Sequence, residues 1–306
     1  MISEFKKRGL VLGLSGGIDS SVVCALCVNA VGKNRVLGLL MPERESSAET
    51  IHLSRSIAEH LGIQTKYQDI TPILDAVRCY DKRDEAIRRV IPEYSRDYTC
   101  KVSLPNIFES SGYRIFSVTV ESPEGIEKKR RLSMDSYLGI LSASNFKQRV
   151  RKMLEYYHAD QLNYAVAGTP NRLEYDQGFF VKLGDGSADA KPIAHLYKTQ
   201  VYQLAEYLGV PPEICERQPT TDTYSMPQSQ EEFYFPLPYD KMDLCLFGKN
   251  NDLPITQVAA ATGLEVAQVE TVYRDIEAKR EATRYLHAAP VLIDDIQELQ
   301  NPRRRL

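Results

Sequence analysis

The sequence predicts an α/β protein with a doubly wound, mainly parallel five-stranded sheet flanked by helices. Short apolar runs typical of buried parallel strands alternate with helical patterns, in the order 8–14, 20–31, 35–41, 48–61 and 63–70. A further short strand is expected at 162–167, where an apolar run ends at a glycine. Because this alternation requires right-handed crossovers, helices are expected on both faces of the sheet.

The rest of the chain is interpreted as part of one domain, 1–306, with two distinct regions. Residues 79–144 form a variable insert, in which alternation around a Pro-Glu-Gly turn predicts a hairpin at 113–132. Residues 252–306 form a C-terminal helical part. Helical patterns are expected at 146–157, 198–208, 255–261 and 266–284.

Composition excludes several classes of protein. Of 306 residues, 43% are hydrophobic, and 38 basic against 41 acidic residues give a net charge of -3, so no chain-wide charge favours nucleic acid or anionic membrane. No apolar run has the length of a membrane span. The six cysteines are sparse and suggest reduced thiols. A cytoplasmic protein is therefore expected, because cleavage of the N-terminus as a signal peptide would destroy the motif that follows.

The most informative segment is a glycine-rich turn between the first strand and the first helix. Oriented N–H groups and the helix dipole favour an anion there, and adjacent glycines let the backbone approach phosphate oxygens. Ser-Gly-Gly-x-Asp-Ser lacks the Gly-Lys-Ser/Thr ending of the Walker loop. It matches instead the pyrophosphatase-type ATP loop, which holds pyrophosphate while AMP is transferred. The predicted ATP-binding residues here are Gly13, Leu14, Ser15, Gly16, Gly17, Ile18, Asp19 and Ser20.

A second group of candidate residues follows the strand at 162–167, so it also belongs at the ligand-binding edge of the sheet. Glu174 offers a carboxylate that joins Asp19 as a magnesium ligand, since Mg²⁺ prefers oxygen donors. Lys198 lies at a helix start, where the helix dipole disfavours a cation, and it suits the neutralisation of ATP phosphates.

Taken together, these motifs make the chain similar to the ammonia-dependent NAD+ synthetases. The similarity covers nearly the whole length, through GLSGGIDSSV, MPERESSAET, NFKQRVR, AGTPNRLEYDQGFFVKLGDGSADAKPI, LYKTQVYQLAEYLGVP, QPTTD and EAKR. It implies a Rossmann-like fold of the adenine nucleotide alpha-hydrolase type and a homodimer. The implied reaction adenylates deamido-NAD, after which ammonia releases AMP and gives NAD+.

The resemblance also implies site residues by position. Beside the glycine-rich turn, the ATP site would include Thr169, Lys198 and Thr220, with Mg²⁺ held by Asp19 and Glu174. The deamido-NAD site would use Arg149, Tyr156, Lys182, Asp189 and Lys279. No covalent nucleophile is expected, because adenylation supplies the leaving group and catalysis rests on positioning and on cations.

Two departures leave the acceptor open. Ala278 stands where the family usually has histidine before the lysine of its C-terminal motif, and the insert at 79–144 looks longer than usual. A paralogue that amidates a different carboxylate is therefore the leading alternative. No glutaminase domain precedes the ATP loop, so ammonium rather than glutamine is the expected nitrogen donor.

Two rival functions come from other segments. Cys24 and Cys27 resemble the cysteine pairs of enzymes that thiolate tRNA with this ATP loop, but they lie in an apolar helix and are interpreted as core thiols. Residues 255–272 resemble a helix-turn-helix, yet the second helix offers few side chains that could contact DNA. Neither rival is favoured over the adenylating enzyme.

Overall fold

The structure is a computed structural model that describes residues 2–105, 107–108, 115–218, 223–294 and 296. The first half contains β1 (Leu10–Gly13), α1 (Ile18–Val31), β2 (Val36–Leu40), α2 (Ala48–Leu61), β3 (Gln64–Tyr67), α3 (Thr71–Ala76), α4 (Cys79–Arg88), β4 (Thr99–Ser103), β5 (Ser117–Glu121) and β6 (Glu127–Arg131). The second half contains α5 (Met134–Leu162), β7 (Ala165–Val166), α6 (Arg172–Gln177), α7 (Lys198–Tyr207), α8 (Pro212–Glu216), α9 (Gln230–Phe233), α10 (Tyr239–Asn250), α11 (Ile255–Thr262) and α12 (Val266–His287).

The main sheet is parallel and has the strand order β3-β2-β1-β7. The predicted α/β class is therefore confirmed. Five strands were expected, whereas the described residues form four strands and one isolated parallel bridge between Ala167 and Ala190 beside β7. The pairing does not extend into a fifth strand because the chain turns at 192–195.

Helices cover both faces of this sheet, because alternate residues of each strand enter different cores. Leu12 of β1 packs with α1, α2 and α7 on one face. Val11 packs on the opposite face with Val150 and Leu154 of α5. Burial on both sides explains why β1 and β2 are continuous apolar runs. The carboxyl ends of the strands remain open to a cavity.

The insert forms its own antiparallel sheet, with the strand order β4-β5-β6. Its β5–β6 hairpin confirms the predicted inserted hairpin, and β4 is an additional strand. Val118 and Val120 pack against Ile87 of α4 and Ile140 of α5. The outer edge of β4 is covered, because Met226 N–H donates to the carbonyl of Cys100 at 3.1 Å.

Helix α5 is longer than the expected 146–157 and spans 29 residues. It begins after Ser133, whose side chain accepts a hydrogen bond from the Ser136 N–H, and it ends at Asn163 in the left-handed conformation. Its first half packs closely on α4, since a Cβ at Gly139 would lie 2.8 Å from the Cβ of Ala86. The residues that permit this contact are small or polar, so this part of the sequence lacks the apolar repeat that is typical of a helix.

The C-terminal part of the chain contains α11 and α12, which follow the helical patterns expected at 255–261 and 266–284. Helices α10, α11 and α12 share one core, in which Val258 and Val269 are buried beside Leu173 of α6. The pair of helices that resembles a DNA reader thus packs one side against the domain core, while most of its other residues are exposed or half-buried. Within the described residues, no helix combines the length and the continuous apolar sequence that crossing a bilayer requires.

Candidate active site

The glycine-rich turn joins the carboxyl end of β1 to the first turn of α1. Gly16 has a φ of +68°, and a Cβ there would lie 2.8 Å from both the carbonyl oxygen of Thr50 and the Cβ of Leu53. Only glycine satisfies both the backbone conformation and the close approach of α2. The turn is therefore fixed against α2 and leaves the N-terminus of α1 open.

The serine hydroxyls of the turn hold its shape. Ser20 Oγ donates to the carbonyl oxygen of Gly17 at 3.0 Å, and Ser21 Oγ donates to the same oxygen at 2.9 Å. Ser15 Oγ lies 3.1 Å from Ser20 Oγ. The two serine hydroxyls thus occupy the carbonyl oxygen of Gly17, the residue that precedes α1. The N–H groups of the first turn of α1 are then the groups available to an anion.

Asp19, in the first turn of α1, is at the centre of a charged cluster. Its Oδ2 accepts a short hydrogen bond from Lys198 Nζ, at the start of α7. Its Oδ1 accepts from Asn171 Nδ2 at 3.1 Å. Asn171 also caps α6 and shares a capping box with Glu174. Three helix starts therefore converge on one carboxylate at the edge of the sheet.

Glu174 is the buried second carboxylate of this cluster. Its Oε2 accepts from the Asn171 N–H at 3.1 Å, and its Oε1 accepts from Gln230 Nε2 at 3.2 Å. Burial, and then the nearby charge of Asp19, raise the pKa of Glu174 to about 8, although Lys198 opposes the shift. Without a further cation, Glu174 therefore keeps its proton near neutral pH, and a bound cation would favour its ionised form.

Lys198 is fully buried and balances part of that charge. Burial lowers the pKa of Lys198, but Asp19 and then Glu174 raise it by more, so the lysine stays protonated. Its backbone N–H and that of Thr199 donate to Asp243 of α10, at 3.2 and 2.7 Å. The acidic side chain at the start of α7 compensates for the cation that the helix dipole disfavours.

A single cavity of about 990 Å³ connects the glycine-rich turn to α5, α6 and α12. This volume suits a ligand of nucleotide size or larger. It is lined by all of the predicted turn residues except Gly16, and by Thr169, Glu174, Arg149, Lys182 and Lys279. Residues from distant parts of the sequence thus meet at the carboxyl ends of the strands.

The predicted second-substrate residues fall into two groups. Arg149, Lys182 and Lys279 line the cavity. Tyr156 and Asp189 do not line it; their side chains are 3.4 Å apart, and Asp189 Oδ2 accepts from the Val166 N–H at 2.7 Å. That pair lies at β7 and supports the strand end. Thr220 lies outside the described residues.

The lysines of this region already have partners. Lys182 Nζ donates to the carbonyl oxygens of Tyr285 at 2.6 Å and Ala288 at 3.2 Å, at the end of α12. Lys279 Nζ donates to the carbonyl oxygen of Tyr234 at 2.7 Å and forms an ion pair with Asp275 at 2.7 Å. The sequence motifs indicated these cations but not their partners.

Further charged residues, which the sequence motifs did not assign to the site, also face the cavity. Glu155 and Lys152 form a buried pair with a 2.6 Å separation, and the Glu155 carboxylate lies against Gly13. Burial raises the pKa of Asp185, which accepts from the Val181 N–H at 2.9 Å. Lysine and glutamate three residues apart on one helix were the available signal for the first pair.

The cysteine pair Cys24 and Cys27 does not line the cavity. Cys24 and Cys27 are buried in the core between α1 and the sheet, and burial raises the pKa of each thiol to about 12. Among the described residues, no group of three or more histidine, cysteine or acidic side chains is arranged to hold a metal ion. These thiols are core residues, in line with the interpretation of the sequence.

The fold and the site define an α/β protein whose turn after the first strand presents N–H groups suited to a phosphorylated ligand. The family model of NAD synthase matches residues 1–91 and 113–284. The chain belongs to the NAD synthase family.

Relatives within the family extend the match to nearly the whole chain. The NH(3)-dependent NAD(+) synthetase of Rhizobium meliloti (strain 1021) is 57% identical over 299 residues, which covers 98% of this chain and 90% of that protein. The NH(3)-dependent NAD(+) synthetase of Thermotoga maritima is 36% identical over 254 residues, 82% of this chain and 84% of that one.

Two solved structures share the fold. The NH3-dependent NAD synthetase from Campylobacter jejuni superposes with a TM-score of 0.62 at 22% identity, covering 96% of this chain and 93% of that one. The NMN synthetase from Francisella tularensis superposes with a TM-score of 0.61 at 21% identity, covering 96% and 92%. At these identities the likeness concerns the architecture alone.

Proposed function

We propose that this protein is an ammonia-dependent NAD+ synthetase, a ligase that amidates deamido-NAD with ATP. The observation that carries this proposal is the 57% identity to an NH(3)-dependent NAD(+) synthetase over 98% of the chain. The cavity adds a physical reason, because it joins a phosphate-type turn to a separate group of cations.

The reaction follows from the chemistry of a carboxylate. An oxygen of the nicotinate carboxylate attacks the α-phosphorus of ATP, and the bond to pyrophosphate breaks. Ammonia then attacks the acyl carbon, AMP leaves with the bonding electrons, and the nitrogen loses a proton to give the amide. Because the adenylate is the leaving group, the site needs positioning and charge compensation rather than a covalent nucleophile.

The chain's own residues have distinct roles in this proposal. The N–H groups at the start of α1 bind the pyrophosphate part of ATP, and Lys198 belongs to the same site through its ion pair with Asp19. Thr169, from the loop after β7, and Thr220 complete the ATP site. Arg149, Lys182 and Lys279 recognise the deamido-NAD phosphates and carboxylate, while Tyr156 and Asp189 support the β7 end of that site.

Asp19 and Glu174 are suited to hold Mg²⁺ beside the phosphates. Both are hard oxygen donors, and they are close enough for the charge of Asp19 to contribute, after burial, to the raised pKa of Glu174. A bound Mg²⁺ would neutralise phosphate charge and favour the departure of pyrophosphate. Asn171 and Gln230 orient the two carboxylates through the hydrogen bonds described above.

A homodimer in the cytoplasm completes the proposal. The surface of α5 carries exposed apolar side chains at Met134, Leu138, Met153 and Tyr157, and other residues of the same helix line the cavity. Burial of such a face against a second copy would remove apolar area from water and fix the helix that shapes the site.

The test is a panel of carboxylates assayed for pyrophosphate release and amide formation with ATP and ammonium. Deamido-NAD is expected to give NAD+, AMP and pyrophosphate in equal amounts, and ammonium is expected to support turnover where glutamine does not. Ala278, which departs from the family pattern, lines the cavity and leaves the acceptor open. The panel therefore includes a second carboxylate, the mononucleotide analogue of deamido-NAD. Turnover of that analogue alone would favour the alternative acceptor, and release of ADP would exclude adenylation.

A further inference from the structure

Lys147 of α5 lies at the wall of the cavity but is almost completely enclosed. Its side chain is 3% exposed, and its Nζ contacts Glu43 Oε1 at 2.9 Å and Glu45 Oε2 at 2.6 Å. A third contact joins Nζ to the carbonyl oxygen of Thr223 at 3.0 Å. An ammonium group has three N–H donors, and these three acceptors use all of them.

This saturation argues against a direct role for Lys147 in binding a ligand. A lysine that binds phosphate or carboxylate needs a donor that the protein leaves unused, and Lys147 has none to offer. Its acceptors come from two separate segments, the loop between β2 and α2 and the segment 223–229. Lys147 therefore joins parts of the chain to one another.

Both joined segments form walls of the cavity. Ser46 from the β2–α2 loop lines it, as do Thr223 and the buried ring of Tyr224. The attachment of Thr223 to α5 thus determines where Tyr224 stands relative to the glycine-rich turn. A shift of this wall would change the space in which the acyl-adenylate has to form.

The cluster around Lys147 extends into the insert. Arg83 Nη1 of α4 donates to both carboxylate oxygens of Glu45, at 2.6 and 2.8 Å, and Arg83 Nη2 contacts Asp84 at 3.0 Å. Tyr80 donates to Glu43 Oε2 at 2.6 Å. Three carboxylates and two cations are enclosed together, so the cluster has a net charge of -1 when all are ionised.

We propose that Lys147 is a positioning residue for the amidation reaction, which sets the cavity wall at Thr223 and Tyr224 by joining it to Glu43 and Glu45. The inference rests on the proposed function for its kinetic readout. Loss of the lysine alone would remove the cation that pairs with the buried carboxylate of Glu43, which is destabilising irrespective of catalysis. The experiment therefore has to separate the charge of Lys147 from its contact with Thr223.

The double variant Lys147→Met/Glu43→Gln makes this separation. It removes one positive and one negative charge, so the cluster keeps its net charge of -1 while the contact with Thr223 is lost. Tyr80→Phe is the matched control, because it removes a buried hydrogen bond of the same cluster and leaves Lys147 and Thr223 in place.

We expect the double variant to lower kcat/KM by about tenfold or more at a temperature well below its Tm, because misplacement of a wall by ~1 Å has costs of this size. Tryptic cleavage after Arg217, which now contacts Thr50 at 3.0 Å, is also expected to become faster. Tyr80→Phe should change neither quantity by more than about twofold. Lys147→Arg, which keeps the charge and several donors, should recover most of the activity.

Kinetic constants and cleavage rates of the double variant within about twofold of the original protein would overturn the proposal. Should this variant not fold, Lys147→Gln/Glu43→Gln, which keeps a shorter polar side chain, is assessed by the same criteria. The cleavage comparison does not depend on the substrate. If the unaltered protein fails to amidate deamido-NAD, the proposed function is wrong, while cleavage at Arg217 still decides the role of Lys147.

Discussion

At the scale of single residues, Asp19 connects the glycine-rich turn to the rest of the site. It receives Lys198 on one oxygen and Asn171 on the other, so its carboxylate is held in place before any ligand arrives. A carboxylate fixed in this way can contribute to a cation site without an additional ordering cost. Its negative charge also makes burial of Lys198 tolerable.

Asp19→Asn is expected to lower the rate of pyrophosphate release by roughly 10²–10³-fold, because the charge that pairs Lys198 and would hold Mg²⁺ is lost. The measurement is pyrophosphate release with ATP, Mg²⁺ and deamido-NAD. Asp176→Asn is the control, since it breaks a buried pair with Arg280 at 2.7 Å that does not line the cavity. Equal losses of activity in the two variants would contradict the role of Asp19.

Glu155 makes the stability of the protein depend on pH. Burial raises the pKa of its carboxyl above the usual value of 4.5, and the neighbouring Lys152 offsets only part of that shift. The folded chain then keeps the proton to higher pH than the unfolded chain. The free energy of unfolding therefore falls as pH rises above 4.5 through the raised pKa of the folded state.

Removal of the Glu155 carboxyl should make the stability of the protein less dependent on pH. Between about pH 5 and about pH 8, the original protein is expected to lose more thermal stability than Glu155→Gln, as measured by Tm at each pH. Glu59→Gln, which alters an exposed glutamate on α2, is the control and should keep the original profile. A parallel profile for Glu155→Gln would show that Glu155 does not cause the dependence.

At the scale of elements, two helices end at glycines of similar conformation in different surroundings. Gly178, after α6, has φ +72°, and a Cβ there would lie 2.3 Å from the Cβ of Thr283 on α12. Gly263, after α11, has φ +69°, and its Cβ would meet no atom within 4 Å. Comparison of the two glycines therefore separates the effect of backbone strain from the effect of contact between helices.

Gly263→Ala is expected to cost about 1 kcal/mol, since alanine is strained at positive φ. Gly178→Ala should cost several times more, because α12 must also move away from α6. Urea unfolding monitored by circular dichroism gives both values. Because Gly178 also lines the cavity, its variant should raise the KM for deamido-NAD, whereas equal costs in the two variants would show that α12 moves freely.

The same scale shows what could be predicted from the sequence. Strands β1 and β2 and helices α1 and α2 are recognisable because buried parallel strands are apolar runs and their crossover helices keep a clear period. The first half of α5 is not, since Gly139 and its small neighbours serve a contact with α4 that exists only in the folded chain. Tertiary packing replaced the periodic signal there.

The site divides in a similar way. Asp19, Glu174 and Lys198 follow from motifs, because phosphate and magnesium chemistry dictates their residue types. Asn171 and Gln230, which hold the two carboxylates, could not be identified, since both are common polar residues that lie far along the chain from at least one partner. Lys147 was inside a recognised motif, but its role depends on Thr223, 76 residues away.

At the scale of the whole molecule, one long helix, α5, links the main sheet, the insert and the cavity. α5 packs on the main sheet through Val150 and Leu154, on the insert through Ile140, and on the cavity through Lys147. The helix also carries the exposed apolar side chains described above, Met134, Leu138, Met153 and Tyr157. A contact made there would act on the sheet, the insert and the cavity together, so the proposed dimer and the activity should depend on each other.

Met153→Asp tests this dependence, because it places a charge on a side chain of the proposed interface that is 54% exposed. We expect the variant to shift the molar mass measured by light scattering from two chains towards one, since a desolvated carboxylate without a partner disfavours association. Activity per chain should fall with the mass and recover at higher protein concentration. Tyr207→Asp is the matched control, as Tyr207 of α7 is 86% exposed outside this face. A variant that stays dimeric, or a monomer with full activity, would separate the dimer from the catalytic site.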